Sequence, residues 1–269
     1  MDNATKRLAK IKSAANDFGQ LTPLIVPFSI LLGALIISLS VYFSFRGAYF
    51  NFNVAGKSTA GVSTTGNTAG AAQETYPASQ TTIDDDPYLG NKDSAKVAIV
   101  EFSDYECPYC KRHFQETYRK LLDNYVATGK AILVFRDFPL SFHNPLATKE
   151  AVAAECVQEL GDNAKYFAFH DLVYTNTNSN GNGLEEAKLY EFAKQVGVDT
   201  NNFTQCYQQE RFKDEIAKDI EDGAAAGVNG TPGFVIGLLS SDGSVDGVSV
   251  AGALPYENFQ QVLEEQLAR

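Results

Sequence analysis

The chain has 269 residues, enough for one large domain or two small ones with a buried core, and its 22 Lys and Arg against 33 Asp and Glu give a formal net charge of −11. That balance lacks the broad basic surface nucleic acid attracts, which argues against nucleic-acid binding. Four cysteines, one methionine and no tryptophan complete the picture, and the even cysteine count takes its meaning from the compartment.

The compartment is read from the N-terminus. Lys6, Arg7, Lys10 and Lys12 precede the nearly all-apolar run Leu24 to Phe45, LIVPFSILLGALIISLSVYFSF. As a helix this run is about 33 Å long at ~1.5 Å per residue, against a hydrocarbon core of roughly 30 Å. A cleaved secretory signal is the alternative, but its apolar region is shorter and ends at a small-residue cleavage site. The basic residues before the span, against Arg46 alone just after it, put residues 1–23 in the cytoplasm. The expected topology is a single-pass cell-membrane protein with a transmembrane helix at 24–45 and everything beyond it extracytoplasmic. Cysteine pairs there rest as disulfides.

Residues 46–82 follow, and Val54 to Thr82 is rich in Gly, Ser, Thr and Ala without hydrophobic periodicity. This reads as a flexible tether, with an r.m.s. reach near 30 Å for about 30 residues. The folded domain is expected over 83–269. Lys96 to Phe102 is a buried-type strand, followed by Cys107 and Cys110 and then a helical pattern through Phe114, Leu121, Leu122, Tyr125 and Val126, ended by Gly129. Ala131 to Phe135 is a second strand, so the cysteines stand at the first strand-to-helix turn of a βαβ unit.

A helical block is expected at about 141–225. Pro145 suits a first helical position, Ala147 to Leu160 ends at Gly161, and helices follow at Ala164 to Tyr174, Leu184 to Val196, and Phe203 to Ala225 with a break. Strands return at Gly233 to Leu239 and Val245 to Val250 around a turn at Asp242 and Gly243, and Tyr256 to Leu267 is an amphipathic helix.

The segment CPYC admits three readings: metal clasp, structural staple or reactive dithiol. Cys107 falls at a helix entrance with Pro108 in the first turn, where free N–H groups and the helix dipole favour a thiolate. A stable thiolate is also a good leaving group, and Cys110, one turn further in, is placed to resolve a mixed disulfide. Zinc needs four ligands, yet Cys156 and Cys206 are isolated and there are three histidines in all. A staple closing so short a loop stabilises little, which leaves the redox pair Cys107–Cys110 as the favoured reading.

Three stretches, DDDPYLGNKDSAKVAIVEFSDYECPYCKRHF, FRDFPL and GAAAGVNGTPGFVIG, resemble the DsbA family of thiol:disulfide oxidoreductases over about residues 84–268. The resemblance implies an α/β, thioredoxin-like fold with an inserted α-helical domain. It implies that Cys107 is the nucleophile, Cys110 its partner and Thr231–Pro232 a cis peptide packed against them, with the Thr231 backbone pairing to an extended substrate peptide. Glu101 is then a semi-buried acid that assists proton transfer at Cys110, the alternative being a solvent-facing strand residue. His113 is near enough to influence that proton, but its expected place is the helix surface, and His143 and His170 carry still less weight. Neither organic cofactor nor metal is implied. Family oxidants often carry histidine where Tyr109 stands, so the direction of electron flow is left open.

Cys156 and Cys206, 50 residues apart, are expected to form a structural disulfide outside the cytoplasm, worth about 4 kcal/mol by chain entropy; two buried free thiols are the alternative. The leading expectation is an extracytoplasmic oxidase acting on reduced or unfolded secreted proteins. A membrane quinone reductase resembling DsbB or a vitamin K epoxide reductase homologue would reoxidise it. A reductase or isomerase, or a redox-independent peptide-binding module, is the rival.

Overall fold

The computed structural model describes residues 75–269, so the expected cytoplasmic segment, the transmembrane run and most of the tether lie outside the described residues. No helix among the described residues is long and apolar enough to cross a membrane.

The first element, β1 (Ala78–Thr82), lies where the tether was expected to continue. Its sequence ASQTT has no hydrophobic signal, and what makes it a strand is backbone pairing to the sheet edge, from Ala78 opposite Val248 to Thr82 opposite Ser244. The folded part therefore starts before Ile83. The two-residue β2 (Tyr88–Leu89) is likewise set by pairing, with Val134 and Leu133 opposite.

β3 (Val97–Ser103) and the parallel β4 (Ala131–Asp137) are buried at every residue. Both faces are covered, which is why their sequences are continuous apolar runs rather than alternating ones. Ala98, Val100 and Phe102 share one core with Ile132, Val134 and Val228, while Val97 and Ile99 share another with Phe234, Ile236, Phe259 and Leu263. With antiparallel β5 (Gly233–Leu239) and β6 (Ser244–Ala251) the sheet order is β1-β6-β5-β3-β4-β2.

Between β3 and β4 the chain forms α1 (Pro108–His113), a π-helical segment Phe114–Tyr118, α2 (Arg119–Leu121) and a second π-helical segment Leu122–Val126. A regular α-helix was expected there. The wider turns are closed by bonds such as Ala127 N–H to Leu122 O at 2.8 Å, and they leave Thr117, Tyr118, Leu121 and Tyr125 buried. Gly129 ends the run at φ 73°, a left-handed conformation that suits glycine.

The helical block comprises a 3₁₀ turn Ser141–His143, α3 (Leu146–Leu160), α4 (Asn163–Asn176), α5 (Ala187–Gln195), α6 (Thr200–Gln208) and α7 (Lys213–Ala225). Asp162 and Asp199 cap α4 and α6 through their carboxylates. Pro145 precedes α3 rather than opening it, after a cis Asn144–Pro145 peptide. Cys156 on α3 and Cys206 on α6 are bonded to each other. The C-terminal α8 (Tyr256–Ala268) covers the face of the sheet that carries Val97 and Ile99.

Arg136 on β4 ties the block to the sheet. It has no exposed surface, and its Nε lies 2.8 Å from both Asp219 and Asp86, with Asp222 2.9 Å from Nη2. Burial, then the neighbouring Asp219, pushes the Asp86 carboxyl well up, so one guanidinium does not face a full set of buried anions.

Candidate active site

β3 delivers the chain to the loop Asp104-Tyr105-Glu106, which two buried carboxylates hold. Asp104 accepts from the N–H of Glu106 at 2.8 Å and of Leu140 at 2.9 Å, and meets His143 Nδ1 at 2.7 Å. Glu106 accepts from the Thr177 hydroxyl at 2.5 Å and the Gly183 N–H at 2.8 Å, while its backbone carbonyl takes the Asn180 N–H at 2.7 Å. The residue before Cys107 is thus clamped to the loop that follows α4. A Cβ at Gly183 would run into the Thr177 hydroxyl oxygen and the Ser179 nitrogen. Gly183→Ala is expected to cost about 1–3 kcal/mol, the usual penalty of overpacking, read as a lowered urea midpoint; an unchanged midpoint would contradict the clamp.

Cys107 is the N-cap of α1 and Pro108 stands in the first turn. Both thiols are free, Cys110 fully buried and Cys107 only 3% exposed. The Cys107 thiol is lowered to about 6, chiefly by a hydrogen bond from the Cys110 thiol. Burial opposes this, and Thr231 and the N–H groups of Cys110 and Tyr109 assist it. The helix N–H groups expected to dominate are therefore secondary to the partner thiol. Cys110 moves the other way, pushed well up by burial and then by Cys107.

The Thr231–Pro232 peptide is cis, and the Thr231 carbonyl lies 3.3 Å from Cys107 Sγ. A cleft of about 400 Å³ adjoins this peptide, lined by Val228, Asn229, Gly230 and the start of β5. Tyr109, two residues after Cys107, is 57% exposed, with the Arg112 guanidinium 5.1 Å from its ring centre.

Glu101 on β3 is fully buried rather than semi-buried. Burial raises its carboxyl to about 7, against the lowering effect of the Ser103 hydroxyl that donates to Oε1 at 2.9 Å. Ser103 Oγ is also 3.0 Å from the Tyr174 hydroxyl. His113 is not on the surface. It packs against Phe234 and Phe259 with ring centres 4.8 and 5.2 Å away, because this side of α1 faces β5 and α8. Burial, first, drives its pKa down to about 3, so the ring is neutral 3.7 Å from Glu101. His170 is packed against Tyr105, Phe135 and Tyr174 and is likewise held neutral by burial.

Residues 82–265 match the family model described as Thioredoxin. The chain belongs to the thioredoxin family. Within that family it is DsbA-like, with an inserted helical domain. It is similar to the oxidised form of BdbD from Bacillus subtilis, with a TM-score of 0.62 and 22% identity over 73% of this chain and 100% of that one. A probable disulfide bond formation protein D of Bacillus cereus is 28% identical over 56% of this chain and 70% of its own length. A Na(+)/H(+) antiporter NhaA 3 of Salinispora tropica is 31% identical over 53% of this chain, which spans only 20% of that relative.

In this thioredoxin-family site the structure brings Cys107, Cys110, Thr231 and Pro232 together, while Glu101 is hydrogen-bonded to Ser103 on its own strand. Ser103, Tyr174, Glu106 and Asp104 were not singled out from the sequence. Ser103 was legible in principle, since a strand places residues two apart on one face and Glu101 was already named.

Proposed function

We propose that this DsbA-like thiol:disulfide oxidoreductase works outside the cytoplasm, held by the Leu24 to Phe45 segment, as an oxidase of reduced secreted proteins. The observation that carries the reading is the split between the two thiols: Cys107 at about 6 and Cys110 pushed well up. A thiolate stabilised in this way shifts the pair toward the reduced enzyme and makes its disulfide more oxidising than one between ordinary thiols. The Cys156–Cys206 bond supports an oxidising compartment.

A substrate thiolate attacks Cys107 Sγ of the Cys107–Cys110 disulfide. The S–S bond breaks, Cys110 leaves with its electron pair and is protonated, and a mixed disulfide forms. A second substrate thiolate then attacks the substrate sulfur, Cys107 leaves as thiolate, and two electrons have passed to the enzyme. The Thr231 backbone and the cleft beside Pro232 hold the substrate strand. A membrane quinone reductase resembling DsbB or a vitamin K epoxide reductase homologue returns the pair to the disulfide.

Equilibration with glutathione tests this. A potential between about −120 and −200 mV is expected of an oxidase, whereas a value near about −270 mV would make the enzyme a reductant and defeat the proposal.

A further inference from the structure

Five arginines lie among the described residues. Arg119, Arg136, Arg211 and Arg269 have carboxylate partners in Asp123, Asp219, Glu159 and Asp246 respectively. Arg112 is exposed and, among the described residues, has none. The chain holds 33 acidic side chains against 22 basic ones, so an arginine left without a carboxylate needs a reason.

What Arg112 touches places it at the substrate cleft. Its Nη2 donates to the Ala253 carbonyl at 2.9 Å, and its guanidinium lies 5.1 Å from the centre of the exposed Tyr109 ring. Ala253 follows Gly252, a residue of the cleft wall whose N–H donates to the Pro232 carbonyl at 2.8 Å. The Thr117 hydroxyl donates to the Leu254 carbonyl at 3.2 Å, so the turn at 252–254 is fixed between the helical run after CPYC and the cis-proline loop. That loop also carries the Thr231 carbonyl, 3.3 Å from Cys107 Sγ. The cation therefore stands at the rim of the cleft that borders Cys107. None of the residues lining this cleft has an ionisable side chain, so the charge a bound peptide meets there is supplied from the rim. A guanidinium has five N–H donors in a planar fork that matches a carboxylate, and Ala253 takes one of them.

We propose that Arg112 is a specificity-determining residue, which selects substrate segments that carry Asp or Glu close to the cysteine to be oxidised. This rests on the dithiol reading above and names the substrate class of that site. Exchange itself is unchanged: the substrate thiolate attacks Cys107 Sγ, the Cys107–Cys110 bond breaks, and Cys110 leaves with the electron pair and is protonated. Side chains two residues apart share one face of a strand. A carboxylate two residues from the substrate cysteine is thus presented on the same side as the thiol, toward α1, which Cys107 caps and which carries Arg112.

Oxidised full-chain enzyme is mixed with dithiol peptides that differ only two residues from the first cysteine, where they carry Asp, Asn or Lys. Acid quenching, alkylation and mass spectrometry give the oxidation rate constant of each. The quantity read is the Asp-to-Lys rate ratio of the native enzyme divided by that of Arg112→Gln, which cancels the peptides' own thiol reactivity. A quotient of about 5 is expected, the upper end for an exposed ion pair. Arg112→Lys should keep part of it, since the charge stays and the fork is lost, and Arg112→Glu should move the ratio further toward the Lys peptide. In the native enzyme alone, the Asp-to-Lys ratio should fall as salt rises to about 1 M, whereas general repulsion by a chain of −11 would make it rise. A quotient of 1, which is an equal loss on all three peptides and the mark of an arginine that only holds the rim, overturns the proposal. A native ratio that rises with salt or ignores it does the same, even where a variant does not fold. A native enzyme that oxidises none of the peptides is a different signal and removes the dithiol reading itself.

Discussion

Cys107→Ser is expected to abolish disulfide exchange, whereas Cys110→Ser should react once and stop as a mixed disulfide. The asymmetry follows from the two environments. With Cys107 at about 6, some nine in ten molecules carry the thiolate at pH 7, by about a tenfold ratio per pH unit. Cys110 is fully buried and pushed well up, so it attacks only an adjacent sulfur. Iodoacetamide should therefore modify Cys107 alone in the reduced native protein, with a rate that titrates about pH 6. Cys107 owes that value first to the Cys110 thiol, so Cys110→Ser should move the midpoint, and the trapped adduct is open to mass spectrometry. Exchange that survives Cys107→Ser, or a stable adduct on Cys110 rather than Cys107, would sink the assignment of roles.

Glu101→Gln should make the reduced protein more stable at pH 8, even though it removes a buried hydrogen-bonded group. Burial lifts the Glu101 carboxyl from an ordinary 4.5 to about 7. Between those values the folded state binds more protons than the unfolded one, so stability falls as pH rises through the window and stays low above it. The gap of about 2.5 units corresponds to about 3 kcal/mol at ~1.4 kcal/mol per unit. Glutamine cannot ionise and escapes this loss. Urea unfolding of the two proteins should agree at pH 4.5 and separate by about 3 kcal/mol at pH 8. A variant no more stable than the native protein at pH 8 would mean that Glu101 is solvated or paired with a charge.

The sequence made β3 and β4 legible because both are buried on two faces and read as unbroken apolar runs. β1 was hidden because ASQTT is a strand only by courtesy of β6. The π-helical segments were hidden for another reason: an apolar spacing does not distinguish hydrogen bonds four residues apart from bonds five apart. At the site, Cys107, Cys110, Glu101, Thr231 and Pro232 came from motifs in a recognisable order. The contacts Ser103–Tyr174 and Glu106–Thr177 each join residues 71 apart, and only the packing of the helical block on the sheet creates them. His113 was misjudged because a lone helical histidine gives no sign of which side of its helix meets the sheet.

Tyr174 stands on α4, inside the helical block, yet its hydroxyl touches Ser103 on the central strand. A transplant of β3, the CPYC turn and the cis-proline loop into a smaller scaffold would carry both cysteines, but not the tyrosine whose hydroxyl meets Ser103. In such a chimaera Ser103 Oγ would keep Glu101 and lose Tyr174. Substitutions on the sheet-facing side of α4 are correspondingly constrained by this hydrogen bond as well as by volume, so the helical block cannot be trimmed away without altering the strand that leads into the CPYC segment.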